Sequence, residues 1–242
     1  MNRTVFASLT ILCLLSVSST TGLIQEVKAD GETIYIQTDG SVSPLSAPIY
    51  SADNITYTFT GNITYPAYKG IVVERNNTVI DGSHDTIQVM GSDGIDLTET
   101  SNVTIKNTNI KTLLYGIHLK SSPNNTMTGN NIESGGDGIY LAYSSNNNSI
   151  SGNTFNAGIA VLDSYGNVVV GNLVNGKPLV YLEDVSDYAV EDGGQVVLVN
   201  CNRISVENLD LSHTAVGVEL WQTNDTKISG NNMTASGRDG IY

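Results

Sequence analysis

The sequence predicts an all-β protein that folds as a right-handed parallel β-helix, a solenoid with about 22 residues per coil. Three observations lead to this prediction. A motif of glycine, an apolar residue, any residue and a second apolar residue recurs at nearly constant spacing. Asn (26) and Gly (24) are abundant among the 242 residues, and both disfavour helix interiors. Apolar residues also alternate with polar ones in short runs, as β-strands require.

The repeat motif defines a column of glycines, at Gly70, Gly94, Gly116, Gly138, Gly158, Gly194, Gly217 and Gly240. The steps between them are 24, 22, 22, 20, 36, 23 and 23 residues. Two apolar columns keep the same register, one through Ile105, Met127 and Ile150, the other through Ile110, Ile132 and Phe155. We expect these columns to point into the core, with successive coils about 4.8 Å apart.

Other solenoids fit less well. The sequence lacks the Leu-x-x-Leu-x-Leu pattern of a leucine-rich repeat, and its period is too long for a nonapeptide roll. Gly-Asn pairs between the apolar columns predict a structural turn ladder at Asn130, Asn153, Asn172 and Asn231. Asn tolerates left-handed bends, and stacked amides can hydrogen-bond along the solenoid axis.

Residues 1–29 are predicted to be a secretory signal peptide, because a basic start precedes a short apolar run and a small-x-small site at Val27-Lys28-Ala29. An uncleaved anchor is the alternative, but the apolar run is short for a membrane span. We therefore expect an extracellular or cell-surface protein. Eight N-glycosylation sequons follow, and we expect a glycoprotein if the host uses them; they lie at Asn54, Asn62, Asn76, Asn102, Asn124, Asn147, Asn224 and Asn232.

The remainder divides into two parts. Residues 30–69 are less regular and are predicted to form N-terminal cap strands, whereas residues 70–242 form the β-helix. The chain stops at Tyr242 inside a repeat motif, so we expect further coils in a longer protein.

Charge and cysteine content exclude some classes of protein. A net charge of -13 with 11 Lys and Arg argues against nucleic acid as a partner. Only Cys201 lies beyond the signal peptide, so no intramolecular disulfide is possible, and no second apolar span predicts a transmembrane segment.

Several segments resemble archaeal NosD-type β-helix surface proteins. They are Thr33-Ile-Tyr-Ile36, Gly70-Ile-Val-Val-Glu-Arg75, Val79-Ile-Asp-Gly82, Asn175-Gly-Lys-Pro-Leu-Val-Tyr-Leu182 and Gly194-Gln-Val-Val-Leu-Val-Asn-Cys201. The resemblance covers nearly all of the chain after the signal peptide. It implies a right-handed parallel β-helix of the carbohydrate-binding and sugar-hydrolase type, exported to the cell surface. It also implies a link to copper-site maturation, from the periplasmic protein that names the family.

One outward-facing column is the leading candidate binding site. The residue two after each repeat glycine should point away from the core, in the column Val72, Asp96, His118, Tyr140, Ala160, Val196 and Glu219. Asp96, His118 and Tyr140 would then lie side by side, where they could bind a sugar or serve as acid and base. A merely polar, variable outer surface is the favoured alternative.

The step of 36 residues from Gly158 to Gly194 predicts an insertion near residues 175–192. Its acidic side chains are weak catalytic candidates, above all Glu183, Asp184 and Asp187; they could also bind Ca²⁺, but the spacing matches no calcium loop. We favour a solvated acidic bulge. Asp93, Asp137 and Asp239 precede repeat glycines, and we interpret these Asp-Gly pairs as turns rather than as a catalytic pair. Glu219 near Trp221 is a further, thin candidate for sugar stacking.

No metal site is predicted. The soft ligands for copper are not paired at a ligand spacing; they are His84, His118, His213, Cys201, Met90, Met127 and Met233. We therefore expect a non-catalytic module that binds a polysaccharide or cell-envelope glycan, or acts as a rigid envelope spacer. A polysaccharide hydrolase, lyase or epimerase is the alternative, although scarce Lys and Arg argue against a uronate lyase. A copper-associated periplasmic role is the third hypothesis.

Overall fold

The computed structural model describes residues 33–65 and 69–242, which form short β-strands joined by turns, with no helix in these ranges. The predicted signal peptide, residues 1–29, lies outside the described residues.

The strands form two stacks of coils. The first stack contains β1 (Ile34–Ile36), β2 (Val42–Ser43), β3 (Ile49–Tyr50), β4 (Thr56–Phe59), β5 (Ile63–Tyr65), β6 (Lys69–Val73), β7 (Val79–Asp81), β8 (Thr86–Val89), β9 (Asp93–Asp96), β10 (Thr104–Lys106), β11 (Asn109–Thr112), β12 (Tyr115–Lys120), β13 (Thr126–Thr128), β14 (Asn131–Ser134), β15 (Ile139–Ala142), β16 (Ser149–Ser151), β17 (Thr154–Phe155), β18 (Ile159–Leu162), β19 (Val168–Val170) and β20 (Leu173–Val174). The second contains β21 (Lys177–Glu183), β22 (Ser186–Val190), β23 (Gln195–Val199), β24 (Asn202–Glu207), β25 (Val216–Trp221), β26 (Lys227–Ser229) and β27 (Asp239–Ile241).

Three sheets run along the first stack. Sheet A has the strand order β18-β15-β12-β9-β6-β1-β2, and sheet B the order β19-β16-β13-β10-β7-β4-β3. Sheet C runs from β5 to β20 and continues through β21, β23, β25 and β27 of the second stack. Sheet D contains β22, β24 and β26.

The parallel register confirms the predicted solenoid. Ile95 lies opposite Ile117, and Ile117 opposite Ile139, which are two successive offsets of 22 residues. The apolar columns fill the interior, where Ile105, Ile110 and Met127 are fully buried. The predicted all-β β-helix with roughly 22 residues per coil is therefore correct.

The glycine column exists because the coils approach one another closely there. A Cβ atom on Gly94 would lie 2.5 Å from the carbonyl oxygen of Gly116, and one on Gly116 would lie 2.4 Å from that of Gly138. No side chain fits at these distances, so each coil needs glycine at this position.

The predicted asparagine ladder is present in the first stack. The Oδ1 atom of Asn153 accepts hydrogen bonds from the backbone N–H and the side-chain amide of Asn130, at 2.9 and 3.0 Å. Asn172 accepts the same two bonds from Asn153. Asn231 lies in the second stack and is only half-buried; it accepts from the backbone N–H of Leu209 at 2.8 Å.

The left-handed residues of this ladder are the glycines rather than the asparagines. Gly129, Gly152 and Gly171 have φ values of 63° to 64°, whereas the asparagine after each of them does not have a positive φ. Two further ladders that the sequence analysis missed run parallel to the first, one through Asn125, Asn148 and Asn167, the other through Ser122, Ser145 and Ser164. Buried amides and hydroxyls thus satisfy the backbone donors at the corners.

The segment before residue 66 supplies a coil of the solenoid. β1, β4 and β5 pair in parallel with β6, β7 and β8, in the same register as later coils. Within this segment, the short strands β2 and β3 pair antiparallel with β1 and β4, and each lies at the end of its sheet. Of the described residues within 30–69, which were expected to form cap strands, only β2 and β3 cover the ends of the sheets. Thr33–Ile36 and Tyr57–Thr60 contribute to the first coil instead.

The segment 175–192 is not a projecting loop, contrary to the expectation from sequence. Asn175 and Gly176 form a two-residue hairpin with φ values of 51° and 80°, which turns the chain back so that β21 pairs antiparallel with β20. β21 and β22 then begin the second stack. The long step in the repeat therefore marks the antiparallel hairpin at which the second stack begins.

The second stack covers the end of the first. β23 alternates between two cores: Val197 and Val199 belong to the core of the first stack, whereas Val196 and Leu198 belong to a separate core. Leu179 of β21 also packs into the first core. One face of the strands β21, β23 and β25 therefore closes the apolar end of the first stack.

Side chains from this covering face replace the missing next strand. The side-chain oxygen of Gln195 accepts a hydrogen bond from the backbone N–H of Ile159 at 2.9 Å, and its amide donates to the carbonyl of Ile159 at 2.8 Å. A carboxylate oxygen of Glu219 accepts from the backbone N–H of Val161 at 2.8 Å. Backbone groups at the unpaired edge of β18 therefore have hydrogen-bond partners, although no further coil of the first stack follows this strand.

Candidate functional site

The predicted outer column is formed on sheet A. Asp96, His118 and Tyr140 lie opposite one another on β9, β12 and β15, with Val72 and Ala160 on either side. The flanking residues on each strand, such as Ile95 and Leu97 or Ile117 and Leu119, belong to the core. The register of the three candidate residues is therefore as expected, and their role in binding stays a prediction.

A second row of polar side chains lies beside this column, at the starts of the strands. Lys69, Asp93 and Tyr115 are opposite one another, and the backbone N–H of Gly116 donates to the carbonyl of Asp137 on the next coil. The interpretation of Asp93 as a turn residue is wrong: it lies in β9, and its side chain is 5% exposed. Strict alternation would place Asp93 on the face of Ile95, yet its carboxylate lies beside Lys69 and His118 of the neighbouring strands.

The two rows form a compact charged cluster. The Lys69 ammonium donates to a carboxylate oxygen of Asp96 and lies 3.5 Å from one of Asp93. The same oxygen of Asp93 lies 3.4 Å from Nδ1 of His118. Burial would raise the pKa of Asp96, but hydrogen bonds from Lys69 and Thr98 outweigh it and hold this pKa below its ordinary value.

Asp93, Asp96 and His118 could also hold a metal ion, which the sequence analysis did not predict. Their ligand atoms lie within 4.8 Å of one another, and among residues 33–65 and 69–242 this is the one such group of three. Two carboxylates and an imidazole suit a divalent ion. Lys69, however, already supplies a cation to both carboxylates.

Aromatic rings border the charged cluster. Tyr115 and Tyr140 are stacked, with ring centroids 4.5 Å apart and an interplanar angle of 9°. His118 lies against both rings, with centroids 5.3 and 5.5 Å away. Burial, reinforced by the neighbouring tyrosine, raises the pKa of Tyr140 to about 12, so this phenol remains a hydrogen-bond donor at neutral pH. We call Lys69, Asp93, Asp96, Tyr115, His118 and Tyr140 the sheet A site.

Arg238 of the second stack reaches this region from far along the chain. Its guanidinium donates to one carboxylate oxygen of Asp137 at 2.8 Å. The Asp137 side chain is 1% exposed, and its other oxygen has no hydrogen-bond partner among the described residues. Burial raises the pKa of Asp137, and Arg238 opposes this shift only in part. The turn interpretation therefore misses the charge pairing of this residue.

Asp137 and Arg238 line a cleft of about 210 Å³ between the two stacks, which we call the joint cleft. Its other lining residues are Leu114, Tyr115, Gly135, Gly136, Ala215 and Gly237. Tyr115 belongs to both the joint cleft and the sheet A site, so the two are continuous. A spacing of 101 residues between Asp137 and Arg238 gives no periodic signal in the sequence.

The weak catalytic candidates of the acidic segment have structural partners. Glu183 accepts hydrogen bonds from the backbone N–H groups of Gly166 and Asn167 and from the Tyr181 hydroxyl. Asp184 accepts from the Asn200 amide, and Asp187 pairs with Arg203 on the surface. Each of the three carboxylates thus has its own partners in the structure.

Glu219 does not belong to the outer column. Its partner in the register is Val197, whereas Val196 lies opposite Val218, so the repeat position is shifted by one residue at β23. Glu219 is 1% exposed and faces β18, and Trp221 donates to the Tyr165 hydroxyl. The suggested sugar-stacking pair of Glu219 and Trp221 is therefore wrong, because the second stack buries this face against the first.

The soft copper ligands are dispersed among the described residues. Met127 is in the core, Cys201 is buried with its thiol near the carbonyls of Leu182 and Val199, and His84 and His213 are exposed. Of these ligands, His118 alone belongs to the metal-ligating group described above.

These observations define an all-β solenoid with a polar, aromatic-lined face on one sheet. A family model described as "Right handed beta helix region" matches residues 48–202. The chain belongs to this right-handed β-helix family. Comparison with curated proteins and with solved structures gave no match. Across the described part of the chain, no helix is long and apolar enough to span a membrane.

Proposed function

We propose that the protein is a glycan-binding module whose ligand lies across the sheet A site. The stacked pair of Tyr115 and Tyr140 beside the charged cluster is the observation that supports this most directly. A sugar ring offers an apolar C–H face that packs against aromatic rings, and hydroxyl groups around its edge that donate to carboxylates. The site places both kinds of partner within three neighbouring coils.

The rigidity of the site also supports binding. Asp96, His118 and Tyr140 are held on consecutive paired strands, and Lys69 and Thr98 fix the Asp96 carboxylate. A preorganised site loses little conformational entropy when a ligand binds. The N-terminal apolar run supports our further proposal that the module acts outside the cell or at its surface, as in the NosD-type proteins that the sequence resembles.

The test is binding of residues 33–242 to a panel of neutral and acidic polysaccharides, measured by affinity electrophoresis and calorimetry. We expect Tyr140→Ala to lower the affinity about tenfold or more, because it removes half of the stacked pair. Tyr188→Ala is the matched control, since Tyr188 is exposed on β22 in another sheet. Absence of binding to every polysaccharide would contradict the proposal and favour a spacer role.

A polysaccharide hydrolase is the second candidate, favoured by opposite pKa shifts in a carboxyl group of the sheet A site and one of the adjoining joint cleft. The pKa of Asp96 is lowered and that of Asp137 is raised, and such a split is what separate base and acid roles require. Mass spectrometry of polysaccharides incubated with the protein distinguishes the two functions. Cleavage products that disappear in both Asp96→Asn and Asp137→Asn would establish hydrolysis, whereas intact chains favour binding alone.

A further inference from the structure

We propose that the joint cleft is a subsite for a cationic amino sugar, whose ammonium group binds the Asp137 carboxylate. This inference rests on the proposed glycan-binding function and names the class of sugar that the site would select. It depends on three features of the cleft: an unpartnered buried oxygen, an excess of negative charge and walls of bare backbone.

The buried oxygen is the first feature. One oxygen of Asp137 is paired with Arg238, and the other is buried with no hydrogen-bond partner among the described residues. A buried carboxylate oxygen without a donor costs free energy, and a charged donor relieves this cost best. Arg238 lines the same cleft, and its side chain is 37% exposed, so we expect it to shift when a ligand binds Asp137.

The charge balance is the second feature. Arg238 is shared between Asp137, at 2.8 Å, and Asp239, at 3.6 Å. In the adjoining sheet A site, Lys69 is likewise shared between Asp93 and Asp96. Each cation therefore serves two carboxylates, which leaves two excess negative charges near the cleft. The chain as a whole carries -13. This field attracts a cationic sugar and repels a uronate.

The cleft walls are the third feature. Gly135, Gly136 and Gly237 line the cleft, and a Cβ atom on Gly237 would lie 3.8 Å from its nearest neighbours, including the carbonyl oxygen of Gly135. The free space for a sugar ring is the cleft itself, with a volume of about 210 Å³ beside Tyr115. Gly237 also has no left-handed φ, so a larger residue would narrow the cleft without straining the backbone.

The test compares three oligosaccharides of equal length by calorimetry at low ionic strength: a glucosamine oligomer, its N-acetylated form and an oligogalacturonate. We expect the glucosamine oligomer to bind about tenfold more tightly than the N-acetylated form. Asp137→Asn should abolish this preference. Gly237→Val, which keeps every charge, should weaken binding of the glucosamine oligomer.

Asp192→Asn is the matched control for charge, because it removes one negative charge at an exposed position outside the cleft. It should retain the preference; an equal loss in Asp192→Asn and Asp137→Asn would show non-specific attraction and overturn the inference. Equal affinity of wild type for the free and acetylated oligomers would also overturn it, but leave glycan binding intact. Failure of all three oligosaccharides and of the polysaccharide panel would contradict glycan binding itself.

Discussion

The carboxylate of Glu219 accepts a hydrogen bond from the backbone N–H of Val161 at 2.8 Å, although the two residues belong to different stacks. In a continuous solenoid, this N–H group would donate to the next strand. Here an ionisable side chain has that function in a buried position, and its second oxygen has no partner among the described residues. We therefore expect the junction between the stacks to be sensitive to pH.

Glu219 should make stability fall as the pH rises. Burial raises its pKa from 4.5 to about 8, so between these values the unfolded state releases the proton while the folded state keeps it. We expect this group to lower the free energy of unfolding by about 4 kcal/mol between pH 5 and pH 9. Glu219→Gln keeps the acceptor for Val161 and should remove the effect. Denaturant unfolding of both proteins across this range measures it; parallel curves would contradict the prediction.

Gln195 should be essential for the stability of the junction. Its side chain is fully buried and makes hydrogen bonds to the N–H and carbonyl of Ile159 and to the carbonyl of Val216. Gln195→Ala leaves these groups without partners, and we expect a loss of about 3 kcal/mol in urea denaturation. Gln88→Ala, on the exposed face of β8, should change stability by less than about 0.5 kcal/mol. Equal effects would show that Gln195 has no capping role.

The asparagine ladder should contribute more than surface asparagines do. Asn153 is fully buried, and Asn153→Ala removes the acceptor for two donors of Asn130 as well as the donor to the carbonyl of Met127. We expect a loss of about 3 kcal/mol. Asn131→Ala is the control, since this exposed residue makes a surface hydrogen bond with Thr154. Thermal unfolding of the two variants decides whether the ladder has this stabilising effect.

Lys69 should stabilise the protein in a pH-dependent manner. Lys69→Met removes the cation beside two carboxylates that are 5% and 4% exposed, and we expect a loss of about 2 kcal/mol at neutral pH. The folded-state pKa of Asp96 is below its unfolded value, so this stabilisation is present above about pH 4 and is lost on acidification. The difference between wild type and variant should therefore shrink below pH 4.

The exposed pair of Lys111 and Glu133 provides the comparison for that experiment. Their charged atoms are 2.9 Å apart, but the side chains are 44% and 51% exposed. Lys111→Met should therefore change the melting temperature little at any pH. A difference for Lys69→Met that stays constant down to pH 2 would mean that packing of its hydrocarbon chain, rather than charge, is responsible.

The periodic part of the fold was predictable because every coil has to meet the same packing requirements. Ile95, Ile117 and Ile139 occupy one column since each coil fills the same core, and the offset of Asp96, His118 and Tyr140 follows from theirs. The contact of Asp137 with Arg238 was not predictable, because it joins two stacks whose relative position has no period. The role of Gln195 was not predictable for a related reason. In the structure Gln195 lies opposite Gly217, whereas the repeat pattern aligns Gly217 with Gly194, one residue earlier.

The covering face of the second stack determines where the protein can change length. Between Gly94 and Gly138, each coil meets nearly the same neighbour above and below, so duplication of one 22-residue unit would extend the rod by about 4.8 Å and leave every other interface intact. After β18 the same duplication would separate Ile159 from Gln195 and Val161 from Glu219. Coils can therefore be added in the middle of the first stack, whereas the contacts at the junction are specific to the coil that contains β18.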